Sequence, residues 1–175
     1  MKNILVINIE WEKVNFEEIL LKDYDTNIDY GLYQLYGHHP SYGENALLYI
    51  GQANDQTFAK RLRKRDEFIE CSARPSFILL GRIVSSKNEP VEWGINNWSK
   101  IINLAEIMLI KAHMPSMNKK DATGLLGMEY CSPHYLIINW GDYGRILPEI
   151  STLRLSYTYW EYEDPISKEK LRAKI

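Results

Sequence analysis

Cysteine is scarce in this chain of 175 residues, with only Cys71 and Cys131, far apart and forming no CxxC pair. That spacing suggests neither a zinc cage nor a disulfide framework, and it fits a reduced, cytoplasmic setting. Excess charge of one sign is lacking too: the formal net charge is -2 and the pI about 6.1. This argues against a protein that coats nucleic acid through bulk positive charge, so any basic surface must be local. No apolar run reaches membrane-spanning length, and no membrane partner is expected. The N-terminal Ile4-Leu5-Val6-Ile7 is too short for a signal-peptide core and leads into Glu10 and Glu12. Repeats, low-complexity tracts and linkers are absent, so residues 1–175 read as a single domain. A hydrophobic share of 45% with 12% aromatics is enough for one core.

What is present reads as alternating short strands and helices. Residues 3–9 have strand character, and Asn15 with Glu18 forms an Asn-x-x-Glu helix start for residues 16–22. Residues 30–36 and 47–52 are rich in Leu, Ile and Tyr. The Pro-, Ser- and Gly-bearing loop between them predicts an antiparallel hairpin. Residues 57–65 predict a helix with Phe58 and Leu62 facing inward and Asp55 or Thr57 as its cap. Strand 77–84, a loop over 85–98 and a long helix over 99–113 stopped by Pro115 follow. Residues 135–140 and 153–160 are further strand candidates.

Two features carry chemistry. Glu106 interrupts IINLAEIMLIKAHM, with Ile102, Leu109 and Ile110 as its helical neighbours. A carboxylate buried there needs a metal, an arginine or a proton, whereas one at the edge of the buried face simply reaches water. The run Lys60-Arg61-Leu62-Arg63-Lys64-Arg65 places five cations in six positions. Such a cluster can neutralise phosphates, although Asp66, Glu67 and Glu70 follow it and a solvated face explains it equally well. The helix of Arg61 begins a few residues after the Tyr49 strand and can present its guanidinium towards the hairpin, and a guanidinium holds phosphate bidentately without titrating.

Taken in order, Gly31-Leu32-Tyr33, Tyr49-Ile50-Gly51, Arg61, Glu106 and Asn118 resemble the GIY-YIG nuclease family. The resemblance implies an α/β (α+β) fold: a small three-stranded antiparallel sheet flanked by helices, over about residues 29–120, with N- and C-terminal elaborations. It implies a metal-dependent endonuclease that hydrolyses DNA phosphodiester bonds, restriction-like or structure-selective, with a homodimer as one option. By the same resemblance, Tyr33 helps activate the attacking water and Tyr49 orients phosphate or a bound water. Arg61 stabilises phosphate charge, Glu106 binds one Mg²⁺ or Mn²⁺, and Asn118 holds the site together through local hydrogen bonds. Lys60, Arg63, Lys64 and Arg65 then contact nucleic acid. The alternative is a nucleic-acid-binding module with a degenerate site.

A phenol with a pKa of about 10 is a poor base at neutral pH. His38 and His39, between the tyrosines, are therefore candidates to relay a proton from Tyr33. The chain departs from the family pattern at Leu32, which stands for isoleucine, and at Arg65, where many members carry histidine. The loop between the tyrosines is also longer than in compact relatives. Trp93 and Trp98 in the 85–98 loop, His113, His134, the aromatic run 157–162 and the basic tail 168–174 all read first as structural or solvated features.

Overall fold

The computed structural model describes residues 4–15, 18, 29–54, 56–63, 75–84, 95–118 and 134–152. Their strands are β1 (Ile4–Val14), β2 (Gly31–His39), β3 (Gly43–Ala53), β4 (Phe77–Val84), β5 (His134–Gly141) and β6 (Glu149–Ser151). The helices are α1 (Phe58–Arg63) and α2 (Ile95–His113). All six strands join one sheet in the order β3-β2-β4-β1-β5-β6. No helix among the described residues is long and apolar enough to cross a membrane.

This overturns the expectation of a small three-stranded antiparallel sheet flanked by helices. The sheet has six strands and is mixed, because β1 pairs antiparallel with β4 and parallel with β5. Strand β1 is thus an interior strand rather than an N-terminal elaboration. The physical reason is visible in β4, Phe77-Ile78-Leu79-Leu80-Gly81-Arg82-Ile83-Val84, which is buried along nearly its whole length. A strand apolar on both faces belongs inside a sheet, with a neighbour on each side. Here those neighbours are β2 and β1.

The hairpin forms as the turn residues predict, with Tyr33 opposite Gly51 and Leu35 opposite Tyr49. The next pair is Tyr36 with Leu47, so the register shifts and Leu48 is the extra residue of a β-bulge. Each face of the sheet carries its own core. Helix α2 covers one, where Ile102, Ala105, Met108 and Leu109 pack with Ile9, Trp11, Leu32, Ile50 and Leu79. On the other face, Phe58 and Leu62 of α1 pack with Tyr33, Leu35, Ala53, Ile78 and Leu80.

Thr57 caps α1: its Oγ1 accepts from Lys60 N at 3.4 Å. Helix α2 begins at Ile95, inside the stretch expected to be loop. The expected helix 16–22, strand 153–160, loop residues 85–94 and the aromatic run and tail lie outside the described residues, apart from Glu18.

Candidate active site

The hairpin explains why tyrosine and glycine alternate as they do. Tyr33 lies directly across from Gly51, so a Cβ on Gly51 would stand 2.5 Å from both the Tyr33 hydroxyl and the Tyr49 ring. Glycine there opens the floor on which the two rings meet diagonally, with centroids 6.0 Å apart and an interplanar angle of 29°. Gly31, at φ +147°, is held in the same way, since its Cβ would run into the Gly81 carbonyl oxygen of β4. Tyr33 is 0% exposed, while Tyr49 is only partly buried and sits nearer solvent.

Strand β3 is the edge of the sheet. Asn118 seals part of that edge by copying a peptide group: its Oδ1 accepts from Ile50 N at 2.9 Å and its Nδ2 donates to Ile50 O at 2.8 Å. Met117 N adds a bond to Leu48 O at 2.9 Å. The segment after α2 thereby straps the bulged strand through Met117 and Asn118.

Beyond the strap, a cleft of about 200 Å³ opens where β3 runs out towards α1, lined by Gln52, Asn54, Gln56, Arg61, Ser99 and Asn103. Arg61 comes from α1 on one side of the sheet, and Ser99 and Asn103 come from α2 on the other. The edge strand is where the two faces meet. Glu106 is buried at 9% exposure, and one of its carboxylate oxygens accepts from Gln52 Nε2 at 2.7 Å. Gln52 Oε1 accepts in turn from Asn54 Nδ2 at 3.1 Å. Asn54 Nδ2 also reaches Ser99 O at 3.1 Å and Ser99 Oγ at 2.9 Å.

Two buried atoms at this cleft, Arg61 Nε and Asn54 Oδ1, make no hydrogen bond among the described residues. One is a permanent donor on a cation and the other an acceptor. Such atoms are costly to bury unless something completes them.

The structure therefore brings Arg61 and the Gln52–Glu106 pair to one end of β3, with Tyr33 and Tyr49 stacked on the α1 face of the hairpin. Lys60 and Arg63 are exposed on α1, whereas Lys64 and Arg65 lie outside the described residues. The histidine relay fails on distance. His38 is five residues from Tyr33 along one extended strand, about 16 Å at ~3.3 Å per residue. Its Nδ1 instead meets Glu44 at 2.9 Å, and His39 Nδ1 accepts from the backbone of Ser41 and Tyr42.

Sequence reasoning missed Gln52, Asn54, Ser99 and Asn103. A signal was present: Ser99, Asn103 and Glu106 recur at i, i+4 and i+7, a polar stripe along an otherwise apolar helix.

Among the described residues no group of three or more His, Cys, Asp or Glu could hold a metal ion. The lining of this cleft offers amide and hydroxyl oxygens beside the Arg61 guanidinium, and no carboxylate. Glu106 is joined to it through Gln52, so a divalent ion would depend on that one carboxylate with water and substrate phosphate, and not on a fully protein-bound site. Comparison with family models, with curated proteins and with solved structures finds no match.

Proposed function

We propose that this protein is a metal-dependent endonuclease of the GIY-YIG type that hydrolyses DNA phosphodiester bonds, acting in a restriction-like or structure-selective manner. One observation carries the reading: Arg61 lines a polar cleft with a buried Nε that no described residue satisfies, and Gln52 of the same lining hydrogen-bonds the buried Glu106 carboxylate.

Phosphodiester hydrolysis develops negative charge on the non-bridging and leaving oxygens. A guanidinium stabilises that charge directly. Arg61 is the cation at the cleft wall and binds the phosphate. Glu106 would hold the divalent cation, which supplies further stabilisation of the same charge. Gln52 orients the carboxylate through its 2.7 Å hydrogen bond. Tyr49 is the phenol within reach of solvent and orients the phosphate. Tyr33 stacks against it and is fully buried, so water activation by Tyr33 requires its hydroxyl to be uncovered. Lys60 and Arg63, exposed on α1, supply sequence-independent contacts to the backbone.

The full burial of Tyr33 favours a second reading, a nucleic-acid-binding module with a degenerate or very slow site. Cleavage of supercoiled plasmid and of branched oligonucleotides in Mg²⁺ or Mn²⁺ separates the two. The nuclease reading expects cutting that EDTA stops and that Glu106→Ala or Arg61→Ala lowers by at least about 100-fold, the scale of losing a charge-stabilising group. Salt-sensitive DNA binding without cutting, unchanged in Glu106→Ala, would instead establish the binding module.

A further inference from the structure

The two halves of the sheet's α1 face are finished differently. Phe58 and Leu62 of α1 cover β2, β3 and β4, where they pack on Tyr33, Leu35, Ile78 and Leu80. Over β1 and β5 no described element does the same. Ile7, Ile9, Trp11 and Ile137 belong to the core under α2, so strand alternation turns Ile4, Val6, Asn8, Leu136, Ile138 and Trp140 to the opposite face. Ile4, Val6 and Trp140 are about half exposed there. An apolar sheet face of this kind is normally buried against another element.

We propose that this bare face of β1 and β5 docks an amphipathic helix of a partner protein, its apolar stripe laid on Val6 and Trp140 and its flanking lysines or arginines on Glu10, Asp142 and Glu149. Trp140 is the anchor. Its Nε1 donates to Asn8 Oδ1 at 3.1 Å, so the indole leans from β5 over β1 with its one polar atom already satisfied. Covering such a ring sacrifices no hydrogen bond and orders a side chain that is already held.

The charge at the rim selects the partner. Glu10 shares a register position with Trp140, and Glu149 with Ile138, so both carboxylates border the apolar face. Arg82 lies directly across from Glu10 yet bonds Glu12 and Asp29 at 2.9 Å each. Glu10, Asp142 and Glu149 thus have no ion pair among the described residues. Glu10 and Asp142 also line a groove of about 550 Å³, which has room for a long basic side chain. A second copy docked about a two-fold axis would bring one acidic rim against another. An anionic lipid surface or a nucleic acid would be repelled. A basic helix meets both the apolar centre and the rim.

The test is selection of a phage-displayed library of helical peptides on the full chain, followed by fluorescence anisotropy of the selected peptides made synthetically. Peptides with apolar residues at i, i+3, i+4 and i+7 flanked by Lys or Arg should be enriched. Trp140→Ala should weaken their binding about tenfold or more, as loss of an anchoring aromatic does. Glu10→Lys with Asp142→Lys should weaken it too and flatten its salt dependence. Each variant is checked by thermal melting, and if Trp140→Ala does not fold, Val6→Lys at its exposed position carries the same expectation.

Selected peptides of acidic character, or affinities that survive both Trp140→Ala and Val6→Lys, would overturn the proposal. So would a concentration-dependent dimer in sedimentation that Val6→Lys abolishes, which would give the face to a second copy. No enrichment at all would mean that the chain itself or solvent occupies the face, and would overturn it equally. The nuclease reading stands or falls separately, since β4 and β2 separate β1 from the cleft's strand β3.

Discussion

Gly51 shows how a single residue can decide a site. The tyrosine pair meets above a position that has no side chain, and a Cβ there would overlap both rings at 2.5 Å. Gly51→Ala should force Tyr33, which is fully buried, out of its packing. Overpacking of this kind costs about 1–3 kcal/mol, to be read as a shift in the urea midpoint. An unshifted midpoint would mean that the rings part without strain. The hairpin was legible in sequence, but the register that sets Gly51 opposite Tyr33 was not, because the pairing shifts between Leu35 and Tyr36 on the way from the turn. The partners of Glu106 were not, since Gln52 lies 54 residues away in the chain and is reached only once α2 packs on the sheet.

At the scale of elements, the edge strand and the interior strand make opposite demands. Edge strand β3 must be protected, and the Asn118 amide does so by pairing both backbone groups of Ile50. Asn118→Ala removes two hydrogen bonds, each worth about 0.5–1.5 kcal/mol net. It should speed amide exchange at Ile50 while leaving β4 protected; uniform protection would show that the strap is dispensable. Interior strand β1 must instead be filled. Ile9 is 0% exposed between β4 and β5. Ile9→Ala should therefore cost about 2–5 kcal/mol in chemical denaturation. A change below about 0.5 kcal/mol, the usual size of a surface substitution, would return β1 to the status of an appendage.

For the whole molecule, the end of α2 is tied to the β5–β6 connection. His113 Nε2 accepts from Leu147 N at 3.2 Å. Asn139 holds the same connection from β5, donating to Leu147 O at 2.7 Å. Burial pushes the His113 pKa below its ordinary value of 6.5. The unfolded chain therefore takes up this proton at higher pH than the folded one. Stability from this residue is complete above about pH 6.5 and declines as pH falls from there towards the depressed folded value. His113→Gln should flatten that part of a stability profile measured by thermal melting between about pH 5 and 8. An acid limb of unchanged slope would assign the effect to other groups.

By itself the sequence determined the hairpin, the helix α1 with its inward Phe58 and Leu62, the long apolar helix and the order of tyrosines, arginine, glutamate and asparagine along them. Those features depend on turn chemistry and on periodicity over neighbouring residues. Only the tertiary structure decided that β1 lies between β4 and β5, because its parallel register joins Ile4 to His134 across most of the chain. No local pattern encodes such a pairing; it is selected by burying two faces of one sheet at once. The same packing placed Arg61 of α1 and Ser99 and Asn103 of α2, from opposite faces, around a common cleft at β3, with Glu106 joined to it through Gln52.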